Sequence, residues 1–124
     1  MPIHREPNDP HSICSYQPAS VTIGSTVYHR SLFLNQDTLI LDWPVHTGID
    51  LNETTITPLI ELSPHIILLG LQTPHLRPPM SLLAYVSTHH IGLECMTIGA
   101  AARTFNLLLS ERRQVVAGFI FENA

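Results

Sequence analysis

The sequence predicts a single α/β domain with three layers and a mixed β-sheet. The first half of the chain has short strand-like runs joined by turn residues, whereas the second half alternates apolar runs of strand length with helical stretches. We therefore expect an N-terminal antiparallel meander followed by C-terminal β-α-β-α-β crossover units. A chain of 124 residues is long enough to bury one hydrophobic core.

Three strands are predicted in the first half, at residues 20–23, 27–34 and 38–43. The first alternates polar and apolar side chains, and the second is rich in β-branched and aromatic residues. Turn residues separate them, and Pro44 closes the third. Trp43, at the end of that strand, is expected to pack over a core edge, with an exposed partner contact as the alternative.

Helices and buried strands alternate in the second half. Thr57 and Pro58 are typical of an N-cap followed by proline at N1, so a short helix is predicted to begin there and run to Leu62. A strand, a helix, a strand, a helix and a strand are then predicted at residues 65–70, 80–89, 91–96, 99–109 and 114–121. The strands are apolar runs, as expected where both faces of a sheet are covered.

Composition limits the kinds of partner. The formal net charge is −4 and the six cations are all arginine, so neither nucleic acid nor insertion into a membrane is expected. Charged residues make up only 13% of the chain. The rest of the surface must therefore consist of uncharged polar groups or be covered by a partner protein. Residues 1–13 are rich in proline and are predicted to form a flexible arm, with the domain at 14–124. These first residues lack the apolar segment of a signal peptide, so the expected location is the cytoplasm.

The sequence predicts no catalytic constellation, no metal site and no cofactor. Cys14 and Cys95 are too few for a disulfide framework and too far apart for a typical zinc motif. Cys95 lies in a predicted buried strand, where cysteine usually behaves as a small apolar residue. The adjacent His89 and His90 would point in different directions on a helix and would not chelate a metal. A non-enzymatic role is favoured, and enzymatic activity stays open.

Two segments follow predicted strands at the edge where open α/β sheets bind ligands. One is the loop after residues 65–70, and the other is the start of the helix at Gly99, whose backbone N–H groups suit an anion. The candidate ligand-binding residues are Gly70, Gln72, Arg77, Gly99, Ala100, Arg103, Thr104 and Asn106. The alternatives are a stiff connector for the loop, a helix face packed on the sheet with Arg103 bonded to loop carbonyls or to Glu94 or Glu111, and an Asn106 that ties down backbone.

A motif in the last third of the chain resembles that of a known family. Its matching residues are Met96, Ala100, Ala101, Arg103, Thr104, Phe105, Asn106, Leu108, Glu111, Arg113 and Val115. The segment resembles a family of small domains of unknown function that includes the mitochondrial NADH dehydrogenase (complex I) assembly factor 3 and adipogenesis-associated relatives. The resemblance extends from about residue 15 to residue 121 and implies a three-layer fold with a mixed sheet. The family's glycine between Glu111 and Arg113 is Arg112 here.

Two functions from different classes follow. The first is a non-enzymatic interaction or assembly-factor module that acts on a protein client or on the subunits of a complex; the resemblance implies respiratory complex assembly by analogy. The second is a small-molecule or anion-binding domain, an uncharacterised enzyme included, that uses the Gly70 loop and the helix start at Gly99. The second function requires these two segments to meet in one cleft. The sequence predicts no particular oligomeric state.

Overall fold

The computed structural model describes residues 12–73 and 78–122. Eight strands, three α-helices and one 3-10 turn occur in this part of the chain: β1 (Ile13–Gln17), β2 (Ser20–Ile23), β3 (Thr26–Tyr28), β4 (Leu32–Leu34), β5 (Leu39–Ile40), the 3-10 turn (Gly48–Asp50), α1 (Glu53–Ile60), β6 (Ile66–Leu71), α2 (Met80–Ser87), β7 (Gly92–Thr97), α3 (Ile98–Ser110) and β8 (Val115–Ile120). Residues 1–11 of the predicted arm lie outside this set, and Ile13, its last residue, is buried in β1.

The strands form two sheets. β1, β2 and β3 form a small antiparallel sheet, and the larger sheet has the order β5-β4-β8-β6-β7. In the larger sheet β6 is parallel to both β7 and β8, whereas β4 is antiparallel to β5 and β8. The predicted mixed α/β class is therefore confirmed.

The two crossover connections run in opposite directions across the larger sheet. The chain moves outward from β6 to its neighbour β7 through α2, and then returns over β6 to β8 through α3. Because crossovers between parallel strands are right-handed, two that run in opposite directions lie on opposite faces of the sheet. The packing agrees, since Leu82 of α2 and Phe105 of α3 belong to separate core clusters.

The alternation of side chains along β8 shows how these clusters are divided. All six residues of β8 are buried. Ala117 and Phe119 face α3 and the small sheet, whereas Val116 and Ile120 face α1 and α2. The two core clusters therefore lie on either side of the larger sheet, and the domain has the predicted three layers.

The first half of the chain differs from its prediction in where the strands break. The predicted strand at 27–34 is two strands, β3 and β4, which belong to different sheets. The break is at Ser31, which is buried; its hydroxyl accepts a hydrogen bond from Phe121 N and its carbonyl accepts one from Trp43 N. The predicted strand at 38–43 shortens to β5, because Asp42 takes a left-handed backbone conformation with φ 56°.

The prediction that the first helix begins at Thr57 and Pro58 is wrong. α1 begins at Glu53, five residues before the predicted first helical residue, with Asn52 as its N-cap and reciprocal side-chain bonds between Asn52 and Thr55. Pro58 therefore lies inside the helix, where it has no N–H to donate to the carbonyl of Thr54. Because Thr54 is exposed, water can bond this carbonyl instead. The Asn52-x-x-Thr55 spacing carried the signal for this helix start.

Each of the three helices is followed, two or three positions after its last residue, by a residue in the left-handed region that glycine usually occupies. These residues are Ser63 (φ 59°), His90 (φ 60°) and Arg112 (φ 59°). At the end of α3, Arg112 N donates to Leu109 O and Arg113 N donates to Leu108 O, which is the Schellman arrangement. Arg112 thus holds a strained conformation at the position where the resembling family has glycine.

Replacement of this strained residue is expected to stabilise the domain. Arg112→Gly removes a left-handed penalty of about 1 kcal/mol, partly offset by the greater freedom of glycine in the unfolded chain. Urea unfolding should show a higher midpoint for Arg112→Gly. Arg112→Ala is the control, because alanine loses the guanidinium but keeps the strain; equal midpoints for the two variants would contradict the prediction.

Candidate functional site

A cleft opens at the carboxyl ends of β6 and β7. These neighbouring parallel strands continue to opposite faces of the sheet, β6 toward α2 and β7 directly into α3. Such a switch in direction leaves a crevice between the two connections. The cleft has a volume of about 410 Å³ and is lined by Tyr16, Gln17, Pro18, Leu71, Gln72, Thr97, Ile98 and Gly99. The end of β6 and the start of α3 thus border one cleft, as the binding hypothesis requires.

The start of α3 forms one wall of the cleft. The helix begins at Ile98, one residue before the predicted start, and Thr97 is its N-cap. The Thr97 hydroxyl accepts a hydrogen bond from Ala100 N at 3.1 Å. Ala100 therefore has its N–H engaged and does not line the cleft, whereas Gly99 does.

The aromatic ring of Tyr16 lies directly on the first turn of α3. A Cβ atom at Gly99 would be 2.6 Å from Cε1 of Tyr16, so the ring approaches more closely than any other residue type at position 99 would allow. Arg103, one turn further along, donates from Nη1 to the Tyr16 hydroxyl. Its guanidinium carbon lies 5.6 Å from the centre of the ring, a cation–π distance.

Arg103 does not pair with either of the acidic residues proposed for it. The two ion pairs within the described residues join Arg30 to Asp42 and Arg113 to Glu111. The partner of Arg103 is instead Tyr16, a residue from the other end of the chain.

Two candidates near the end of β6 have different positions. Gln72 lines the cleft, and its Oε1 accepts a hydrogen bond from Glu122 N. Gly70 is buried within β6, where a Cβ would lie 2.9 Å from Cδ1 of Phe119 and 3.0 Å from Cβ of Ala101. Gly70 therefore allows close packing of α3 on the sheet and does not line the cleft. Arg77 lies outside the described residues.

Asn106 fixes the backbone of β1. Its Oδ1 accepts from Ile13 N at 2.7 Å, and its Nδ2 donates to Ile13 O at 2.8 Å. The oxygen and the nitrogen of the side-chain amide thus both bond the backbone of Ile13, which lies 93 residues away in sequence. Thr104 is half-buried and is not part of the cleft lining.

The comparison with known proteins shows the family of the chain. Residues 13–120 match the sequence profile of a family described as protein of unknown function (DUF498/DUF598). The chain belongs to this family. None of the functionally curated proteins compared with the chain matches it.

Solved structures of similar chains have the same fold. The NMR structure of Xanthomonas campestris XCC1710 is 33% identical and has a TM-score of 0.82, with 98% of this chain and 93% of that chain covered. A Bordetella pertussis protein, described as an Mth938-like domain, is 19% identical with a TM-score of 0.79 over 99% and 94% of the two chains. A Bartonella henselae chain described as an outer membrane protein is 24% identical with a TM-score of 0.71 over 92% and 97%. The latter two likenesses show the fold alone.

In this DUF498/DUF598 domain, the polar residues of the Arg-Thr-Phe-Asn motif join α3 to β1. Arg103 bonds the Tyr16 side chain, Asn106 bonds the Ile13 backbone, and Phe105 between them is fully buried. The motif therefore positions the strand that brings Tyr16, Gln17 and Pro18 to the cleft. Sequence reasoning missed these three residues because β1 was not predicted; Pro18, at a tight turn between two short runs, was the available signal.

The remaining sequence candidates lie away from the cleft. Trp43 is 3% exposed, donates from Nε1 to Thr55 O and packs edge-on against Phe33, so the expected core packing is confirmed. The prediction of a buried strand at 91–96 is wrong, because β7 is an edge strand in which no residue is fully buried, and Cys95 is half-buried there. The His89 ring packs against Tyr85. Within residues 12–73 and 78–122, no three His, Cys, Asp or Glu side chains come together in a metal-binding group. No helix in that part of the chain is long and apolar enough to span a membrane.

The contact between Gly99 and Tyr16 can be tested by substitution. Gly99→Ala places a Cβ within 2.6 Å of the ring, so the ring is expected to leave the helix and its bond to Arg103 is expected to break. NMR should show large shifts of the Tyr16 ring and Arg103 side-chain signals. Gly92→Ala is the matched control, since its Cβ would lie 3.7 Å from the nearest atom, an ordinary contact. Unchanged Tyr16 signals in Gly99→Ala would show that the contact is wrong.

Proposed function

We propose that this chain is a small-molecule-binding domain whose site is the cleft at the carboxyl ends of β6 and β7. The observation that carries the proposal is the position of the cleft. It opens where the connections after two adjacent parallel strands leave for opposite faces, the place where open α/β sheets bind their ligands. Its volume of about 410 Å³ is within the range of small-molecule sites.

The lining indicates the general character of the ligand. Tyr16, Pro18, Leu71 and Ile98 supply apolar surface, and the polar side chains, Gln17, Gln72 and Thr97, are uncharged. Such a lining suits a ligand with an apolar body and a small number of hydrogen-bonding groups.

The same lining supports binding without assigning a reaction. The described residues that line the cleft include no His, Cys, Asp, Glu or Lys side chain. General acid–base or nucleophilic catalysis most often draws on those residue types, and Tyr16, whose hydroxyl accepts a hydrogen bond from Arg103, is the acid–base residue type that the lining does contain. We therefore propose a binding domain. Its proposed location, the cytoplasm, rests on the N-terminal sequence and not on the cleft.

An NMR screen tests the cleft directly. A library of small aromatic and aliphatic fragments is expected to perturb the amide signals of Leu71, Gln72, Ile98 and Gly99. Gln17→Trp, which places a bulky ring at the cleft wall, should weaken binding of the fragments that cause these shifts. Ser15→Trp is the matched control, because Ser15 is also an exposed residue of β1 but is not among the cleft residues. Fragments that bind only elsewhere would contradict the proposal.

An interaction or assembly-factor module is the second candidate function. Ile40 ends the edge strand β5 and Leu41 follows it, and their side chains are 41% and 47% exposed. Apolar side chains of this size on a weakly charged surface favour contact with a protein client. Assembly of a respiratory complex, the role of one resembling relative, is the specific client proposed by analogy.

Co-purification from native extract tests this second function. A client that contacts this surface should be recovered with the wild-type chain and lost with the double variant Ile40→Ser, Leu41→Ser. Val27→Ser is the matched control, since Val27 is 50% exposed but belongs to the small sheet. If quantitative mass spectrometry recovers the same proteins with all three chains, the β5 surface is not the client site.

A further inference from the structure

We infer that the cleft selects a small apolar monocarboxylate, whose hydrocarbon body fills the cleft while its carboxylate binds the guanidinium of Arg103. This inference rests on the proposed binding function and names the chemical class of the ligand. It is carried by a cation that the fold holds in place beside a neutral, largely apolar cleft.

The first step of the argument is that Arg103 is held in a defined position. Its Nη1 donates to the Tyr16 hydroxyl, and the guanidinium lies over the Tyr16 ring. An arginine side chain that is fixed in this way loses less conformational freedom when it binds a ligand than a free surface arginine does. The pair with Tyr16 thus organises the cation before the ligand arrives.

The second step is that the guanidinium still has donors to offer. Arginine carries five N–H donors, and no acidic side chain of the described residues forms an ion pair with Arg103. A carboxylate is the planar group that matches two parallel guanidinium donors. Because Arg103 is exposed, its remaining donors face solvent and are accessible to a ligand.

The third step is the location of the charge. Nη1 of Arg103 lies 3.3 Å from the place where Gly99 would carry a Cβ, and Gly99 and Tyr16 both line the cleft. The cation therefore lies beside two residues that line the cleft without being a lining residue itself, and the lining residues are uncharged. A ligand in the cleft would find apolar surface for its body and one positive charge at its edge.

Because Arg103 supplies one positive charge, a ligand with one negative charge is favoured over a ligand with two. A phosphate monoester carries nearly two charges at pH 7 and would leave part of its charge unpaired beside apolar surface, which is unfavourable. A monocarboxylate is neutralised by Arg103 alone. The cleft is thus expected to prefer carboxylates to phosphates that carry the same hydrocarbon tail.

Three probes with the same tail test this inference on the full chain at pH 7. Octanoate, octanol and octyl phosphate are titrated while the amide signals of Leu71 and Gly99 are followed by NMR. Octanoate is expected to bind at the cleft roughly tenfold more tightly than octanol, as a charge-assisted hydrogen bond provides, and more tightly than octyl phosphate. Arg103→Met should bring the affinity for octanoate down to that for octanol, and Arg113→Met, an exposed arginine paired with Glu111, should leave it unchanged.

A second variant keeps the test decisive if Arg103→Met does not fold. Tyr16→Phe keeps the ring but removes the hydroxyl that holds Arg103, and it should reduce the preference for octanoate over octanol. Equal affinities for octanoate and octanol in the wild-type chain would overturn the inference and leave the cleft as a binding site. Tighter binding of octyl phosphate would also overturn it. Failure of the cleft itself would appear separately, as the absence of any fragment that shifts its amides.

Discussion

The need to cover β6 and β8 on both faces determines the rest of the domain. Both strands are almost entirely apolar and buried, so each face of the sheet must carry its own layer. Since β6 stands between β7 and β8, the chain first moves outward and then returns, and the handedness of crossovers assigns α2 and α3 to opposite faces. The same divergence opens the crevice at the ends of β6 and β7, so the location of the cleft follows from how the core is covered.

The outer wall of the cleft depends on a different kind of interaction. It belongs to β1, which is not part of the larger sheet and is joined to α3 by side-chain hydrogen bonds from Asn106 and Arg103. These bonds connect residues 93 and 87 positions apart in sequence. The sheet therefore supplies the floor of the cleft, whereas the polar residues of the family motif hold its wall.

The sequence predicted the second half of the chain more closely than the first for a physical reason. A continuous apolar run identifies a strand covered on both faces, and the run at 65–70 differs from β6 by a single residue at each end. In the first half, local pattern does not report which sheet a strand joins. The predicted strand at 27–34 is therefore divided at the buried Ser31, and the predicted strand at 38–43 is shortened by the left-handed conformation of Asp42. Gln72 and Gly99 were identified at the cleft from their position after strands, but Tyr16 reaches it only through tertiary contacts.

Gly70 and Gly99 show that a glycine near a strand end can serve either close packing of the core or the lining of a cleft. Both sites exclude a Cβ, but the neighbour at Gly70 is the buried ring of Phe119, whereas the neighbour at Gly99 is the exposed ring of Tyr16. A core ring against glycine closes the space between sheet and helix completely. The exposed Tyr16 ring packs on α3 with one part of its surface, and the cleft lies beside the part that remains exposed. The burial of the neighbouring ring, which no local pattern in the sequence reveals, separates a packing glycine from one that borders a cleft.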